Sequence, residues 1–467
     1  MQLRSESRVA RTIAWSIGVG LALTILAGVR TTDTRAESAA RLCDSSSASR
    51  IPQPTARHLA AAGLARLPIA PKRKRVDLVA RPFSNSTSIT NPLFPISKLR
   101  SAILNGRVSG KVFRVETTLL PDTRIVEWRK GQCVRTLVSQ YVAYLDGRIE
   151  EVAPDFYAQA DDGSVWYFGE DVCNYADGVV RDTSGTWLAG KEGPAAMIMP
   201  AAPRVGDVHR PENIPGLVFE EGRKGDCQDR GRTARTGKWR SGRPGAPRRR
   251  DVLGQGLRAR IRRVLHGPRR RCRGACLRRA HRRALGIRAT RAREALVARE
   301  CHFCRGRGRA WQVASANLTT MRAGWDAYRA RGVPPRLVVP TSAGLAALSK
   351  AMAARDSQRA RNAALDVVQA ALDLELAYRP PAQIDLARFD LWLRQILVDA
   401  ATRDRSAVSG DLATLEWIRD RIAHTLASVA VTRIDTHLEK LRDEVVDGDL
   451  AAAARTAAAL RKALPPE

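Results

Sequence analysis

The stretch Phe156-Tyr157-Ala158-Gln159-Ala160, then Asp161-Asp162-Gly163, then Val165-Trp166-Tyr167-Phe168-Gly169 reads as strand, turn and strand. Aromatic and β-branched residues favour a pleated, half-buried surface, and Asp-Gly supplies the left-handed position that a tight hairpin needs. Neighbouring runs repeat the pattern. Val112-Phe113-Arg114-Val115-Glu116-Thr117 alternates and is followed by Pro121-Asp122, where a turn is expected. Arg135 to Leu145 forms a longer strand closed by Asp146-Gly147. Trp187 and Met197-Ile198-Met199-Pro200 end the readable β pattern. These runs predict an antiparallel meander with one buried face over residues 83–221.

The C-terminal third changes period. From residue 311 to 467 the sequence predicts helices joined by short Pro and Gly breaks. They are expected at Gln312–Ala330, from a Thr341-Ser342 cap into Leu345, Leu348 and Met352, at Ala360–Tyr378, and at Ile384–Ala401. After Gly410, Leu412, Leu415, Ile418, Ile422 and Leu426 recur at three- and four-residue steps, an amphipathic stripe. Two Ala-rich helices follow, over about 429–446 and 448–463. The fold class is therefore α+β, an antiparallel β-sheet domain followed by an antiparallel α-helical bundle.

Ahead of both, Arg4, Arg8 and Arg11 lead an uncharged run from Thr12 to Val29. That is the form of an export signal or a single membrane anchor, so residues 1–36 are expected to be a signal peptide or membrane-anchoring helix. Thr34 and Ala36 offer small residues for cleavage; Val29 stands where a lipoprotein would carry cysteine. Residues 37–82, rich in Ser, Ala, Pro and Arg, read as a disordered linker. Pro71 to Val76 resembles a nuclear localisation signal, but in an exported chain it reads as a solvated basic stretch.

The formal net charge is +32, which would ordinarily point to a polyanionic partner. Its distribution removes that inference. Residues 222–310 hold 30 Lys and Arg against 5 Asp and Glu, leaving only +7 for the rest of the chain. The same segment holds Cys272, Cys276, Cys301 and Cys304, a set that could ligate zinc beside arginines able to contact phosphates. It supplies no Phe or Tyr between Phe219 and Phe303, and its Leu and Arg follow no period. Arg-, Gly-, Pro- and Ala-rich composition is what a GC-rich gene yields in the wrong frame. Codons compatible with Asp251 through Gly286, read one nucleotide later, permit a string that alternates and restores Trp, Tyr and Phe. We read 222–310 as out of frame and poorly ordered, with nucleic acid not expected as a partner.

Asn91-Pro92-Leu93-Phe94-Pro95, the hairpin around Trp166-Tyr167-Phe168-Gly169-Glu170-Asp171, and the run from Met197 to Glu221 resemble an exported β domain of uncharacterised bacterial proteins, in which a helical domain follows. The resemblance covers roughly residues 83–221. It implies a secreted fold and carries no catalytic residues across.

Candidate chemistry is sparse. Outside 222–310 the histidines are His58, His209, His424 and His437. Glu416, Asp420 and His424 share a helical face at i, i+4 and i+8, half of a metal site, though a solvated polar face explains them as well. Asp161-Asp162 with Glu170-Asp171 could bind a hard cation, or simply cap a turn. Cys133 and Cys173 are the disulfide candidates. There is no P-loop, nucleophile elbow, zinc-protease motif or dinucleotide fingerprint, so no catalytic residue and no cofactor is expected. The expected role is a non-enzymatic binding or structural protein of the bacterial cell envelope. It would be periplasmic, secreted or anchored to the outer face of the cytoplasmic membrane. Its partner would be an envelope ligand or protein, with membrane contact through the N-terminal helix if that is uncleaved. The alternatives are a polyanion- or nucleic-acid-binding protein using the Arg-rich segment, and an envelope metal-binding or hydrolytic protein.

Overall fold

Alternation along a strand sends successive side chains to opposite faces, so a run buried throughout must be covered on both sides. Val165–Glu170 is such a run. The computed structural model describes residues 46–66, 69–223, 307–330, 332–333 and 335–465. Among them the chain is α+β, an antiparallel β-sheet region followed by a C-terminal helical region.

Two short strands, β1 (Ser49–Arg50) and β2 (Val79–Ala80), pair with each other and flank a short helix α1 (Ala56–Ala61). After a second short helix α2 (Ile96–Leu99) the main sheet begins: β3 (Ser101–Val108), β4 (Lys111–Arg129), β5 (Gln132–Leu145), β6 (Arg148–Gln159) and β7 (Val165–Glu170). Each pairs antiparallel with its predecessor. The outer edge of β6 is shared between β7 and β8 (Cys173–Ala176), which pairs in turn with β9 (Val179–Asp182). β10 (Trp187–Leu188) and β11 (Ala196–Met199) divide the far edge of β7. A separate hairpin, β12 (Val208–Ile214) and β13 (Val218–Arg223), completes the β region.

The β6–β7 hairpin forms as the sequence predicts, with Gly163 in the left-handed region (φ +85°). Both of its faces are buried, unlike the single buried face expected. Phe83 meets Phe168 at 5.4 Å on one side. On the other, Tyr157 stacks on Tyr167 at 4.8 Å, and Tyr167 meets Trp187 edge-on at 5.2 Å. Pro121 does not turn the chain. β4 runs through it with a register shift between Leu119 and Thr123, because proline removes one ladder donor without forcing a reversal.

The described part of the stretch read as a disordered linker is tied into the fold. Ile51 and Ala80 are core residues. Arg75 and Asp77 form a buried pair at 2.6 Å, and Asp77 also accepts the backbone N–H of Arg210 at 2.7 Å. Arg210 donates to Gln53 and Glu221, so the linker and the β12–β13 hairpin share one polar network. Arg75 thus belongs to the fold's interior rather than to a solvated basic run.

The helices are α3 (Arg307–Arg329), α4 (Pro335–Ala353), α5 (Ser357–Glu375), α6 (Pro381–Ala401), α7 (Arg405–Ile422), α8 (Ser428–Asp447) and α9 (Leu450–Ala463). The stripe Leu412, Leu415, Ile418 and Ile422 is buried against Phe389, Leu393 and Ile396 of α6 and Leu438 and Leu441 of α8. Two breaks expected from sequence are absent. Thr341 and Ser342 cap nothing: α4 continues through Pro340, and the Thr341 hydroxyl donates back to the Leu337 carbonyl at 2.8 Å. Gly410 lies inside α7.

Asp356, Asp404 and Asp449 cap α5, α7 and α9, each accepting the N–H three residues on. Asp356→Ala should therefore lower thermal stability by about 1 kcal/mol. An unchanged melting curve would remove the cap's role. None of the helices among the described residues is long and apolar enough to cross a membrane; the run Thr12–Val29 lies outside them.

Candidate functional site

In β4, Arg114 and Glu116 are two residues apart and so share a face. Across the ladder on β5 lie Tyr144 and Val142, with Gln140 one pair further on. Such a face would ordinarily meet water. Here α5, α6 and α7 cover it, and each brings charge: Asp373 from α5, Asp385 and Arg388 from one turn of α6, and Arg421 from the end of α7.

The groups interlock. Arg114 donates to Glu116 and, at 2.7 Å, to Asp373. Arg388 reaches Asp385 at 2.9 Å, Asp373 at 3.1 Å and Glu116 at 3.6 Å. Arg421 donates to Glu116 and Gln140 and lies 3.4 Å from Asp385. Gln140 passes its own N–H to the Trp417 carbonyl at 3.1 Å. Tyr144 stacks on Trp392 of α6 at 5.5 Å. The side chains of Glu116, Arg388 and Arg421 are 0% exposed.

Three guanidinium groups thus face three carboxylates, and the cluster is neutral as a whole. Burial alone would push the Glu116 carboxyl up; Arg388, Arg114 and Arg421 outweigh it and hold the group well below the usual carboxylate range. Burial likewise opposes the charge on Arg114, but Asp373 and Glu116 raise its pKa further. The arrangement keeps Glu116 and the three guanidinium groups ionised in the interior. Most of its guanidinium donors meet protein carboxylates or Gln140, while Arg388 Nε and Arg421 Nη2 are buried without a hydrogen-bond partner, and the cluster joins the sheet to the helices.

No family model, curated protein or solved structure matches this chain. The role of the protein has to follow from its own residues.

The residues singled out in the sequence fall elsewhere. Glu416 accepts two hydrogen bonds from Arg442, at 3.0 and 2.6 Å. Asp420 pairs with Arg419 at 3.2 Å. His424 sits in the 3₁₀ turn Ala423–Thr425 that follows α7. The α-helical spacing that would align these three ends at Ile422, and arginines occupy both acids. Among the described residues no group of three or more His, Cys, Asp or Glu is placed to hold a metal. Cys272, Cys276, Cys301 and Cys304 lie outside the described residues, as does nearly all of the segment read as out of frame.

The four acids of the central hairpin do not converge either. Asp161 accepts from Ser84, Asp162 from Ser164, and Asp171 pairs with Arg124, while Glu170 is buried in the sheet.

Cys133 and Cys173 are not paired. Cys173 is a free thiol, and Cys133 is disulfide-bonded to a partner that is not among the described residues. The register explains it: Cys173 aligns through Val152 with Val142, nine residues along β5 from Cys133. At about 3.3 Å per residue the two thiols are on the order of 30 Å apart, far beyond the roughly 7 Å Cα limit for a bridge.

A shallow groove of about 330 Å³ lies between α3 and α4, lined by Arg322, Trp325, Asp326, Arg329 and Ser342. Of its polar groups, Trp325 donates to Ser342 at 3.1 Å, and Arg329 lies 3.7 Å from Asp326.

Proposed function

We propose that this chain is an extracytoplasmic binding or structural protein of the bacterial cell envelope. An N-terminal export or anchor helix delivers it, and an antiparallel helical bundle braces its β domain. The observation that carries the reading is the disulfide at Cys133, a bond that persists in oxidising compartments and is rare in the cytosol. The charged run ahead of Thr12–Val29 supports it from the sequence. The neutral ionic cluster supports the non-enzymatic part, since the largest gathering of ionisable side chains described above is committed to joining sheet and helices. The polyanion-binding alternative rests on residues 222–310, nearly all outside the described ones, and gains no support from the cluster.

Alkylation of intact cells followed by mass mapping of the purified protein tests the compartment. Cys133 should resist alkylation until reductant is added, and the protein should fractionate with the envelope or periplasm. A freely alkylated Cys133 in a soluble cytosolic fraction overturns the reading.

A further inference from the structure

Cys133 is buried where its neighbours are not. Glu127 faces it directly across the β4–β5 ladder, Arg135 follows it on the same side of β5, and both are exposed. The sheet itself therefore does not cover the thiol. What comes to this corner is the N-terminal arm. The Ser49 hydroxyl donates to Gln132 Oε1 at 2.8 Å, and Arg129, at the end of β4, donates to the Arg50 carbonyl at 3.1 Å. Ser49 is buried there and pairs with Ala80, so the arm is fixed at this point.

Reach selects the partner of the Cys133 bond. Cys43, outside the described residues, is six residues ahead of Ser49, about 20 Å of extended chain, and Cys133 immediately follows Gln132. A bridge needs Cα atoms within roughly 7 Å, which that length allows. Cys227 is four residues, about 13 Å, beyond Arg223. Arg223 closes the end of the β12–β13 hairpin where Val208 bridges to Arg75. The opposite end is the one that approaches β4: Ile214 abuts Gly193, and Gly190, bonded to Gly193, lies against the backbone of Glu127 and Trp128. Cys301 and Cys304 precede α3, whose core contacts run to α4 and α5 and to no strand. Cys272 and Cys276 are further still along the chain from any described residue.

We propose that Cys43 and Cys133 form a disulfide that ties the chain just beyond the apolar run Thr12–Val29 to the tip of the β4–β5 hairpin. The two thiols give up two protons and two electrons as the S–S bond forms; the disulfide of a thiol–disulfide oxidoreductase accepts them and becomes two thiols. Cys43 lies beyond Thr34 and Ala36, so it stays with the chain after cleavage there. The bond closes a loop of about 90 residues that contains β1, β2, β3 and β4, and it restricts the unfolded chain more than the folded one. The pairing does not depend on the compartment proposed above, since it is read from the purified chain.

Tryptic mapping of the full chain, purified with its free thiols blocked by N-ethylmaleimide and never reduced, tests the bridge. Cleavage after Arg41, Arg50, Lys130 and Arg135 releases Leu42–Arg50 and Gly131–Arg135. These two peptides should appear joined, lighter by two hydrogens than their sum, and should separate on reduction. Urea unfolding gives a second reading. Cys43→Ser and Cys133→Ser should lower the midpoint equally, and the double variant no further, because each removes the same bond. Cys133 found joined to another cysteine, to a small thiol or to nothing overturns the proposal, and so do additive losses in the double variant.

Discussion

Glu116→Gln is expected to destabilise the protein by about 3–5 kcal/mol, the usual loss when one member of a buried ion cluster is neutralised. The substitution preserves shape. It leaves Arg114, Arg388 and Arg421 facing only Asp373 and Asp385, in a place where water cannot take up the excess charge. Chemical denaturation read by circular dichroism and by tryptophan fluorescence would measure it. The sheet carries Trp128, Trp166 and Trp187, and the helices carry Trp392 and Trp417, so the two probes should shift together. The pH dependence gives a second check. The folded-state value of Glu116 is depressed, so its contribution exists above the ordinary carboxylate range and is lost as pH falls through the folded value. Acid unfolding of Glu116→Gln should be correspondingly shallower. A loss below roughly 1 kcal/mol, the size of an exposed pair, would mean that the cluster is solvated after all.

Gly178→Ala should cost roughly 3 kcal/mol, combining left-handed strain with overlap. Gly178 has φ +78°, and a Cβ there would lie 2.2 Å from the Ser406 carbonyl oxygen and 2.4 Å from the Gly410 amide nitrogen. Both obstacles are backbone, so neither can swing aside. Gly110 offers the matched control: its φ is +82° but nothing lies within 4 Å of an added Cβ. Gly110→Ala therefore reports strain alone, on the order of 1 kcal/mol. Equal losses in the two variants would show that the β8–β9 turn does not bear on α7. A larger loss at Gly178, with faster amide exchange at the start of α7, is the expected result.

Local pattern carried much of the architecture. The hairpin around Gly163, the strand from Arg135 to Leu145 and the stripe Leu412–Ile422 were legible because alternation and helical spacing are short-range signals. Breaks were read less well. Pro121, Thr341 and Gly410 each look like a boundary in isolation, yet a bulge, a back-bonded hydroxyl and a close backbone approach accommodate them. The ionic cluster was not read at all. Arg114 and Glu116 fall on the face that alternation assigns to solvent, and nothing near them in the chain says that helices some 260–300 residues later will cover it. The hint available was Asp385 and Arg388, one turn apart among Ile384, Phe389 and Leu391, where a charged pair would have to be buried. Glu416, Asp420 and His424 failed for the converse reason: their alignment assumed a helix that in fact tightens into a 3₁₀ turn before His424.

The bond between Arg421 and Glu116 spans 305 residues, and that separation orders events during synthesis. At about 5–20 residues per second, Glu116 leaves the ribosome roughly 15–60 seconds before Arg421 exists. Through that interval the strands bearing Arg114, Glu116 and Tyr144 are complete but their lid has not been made. The charged face of the sheet is thus made well before the helices that cover it, and its pairing with them is a late step of folding.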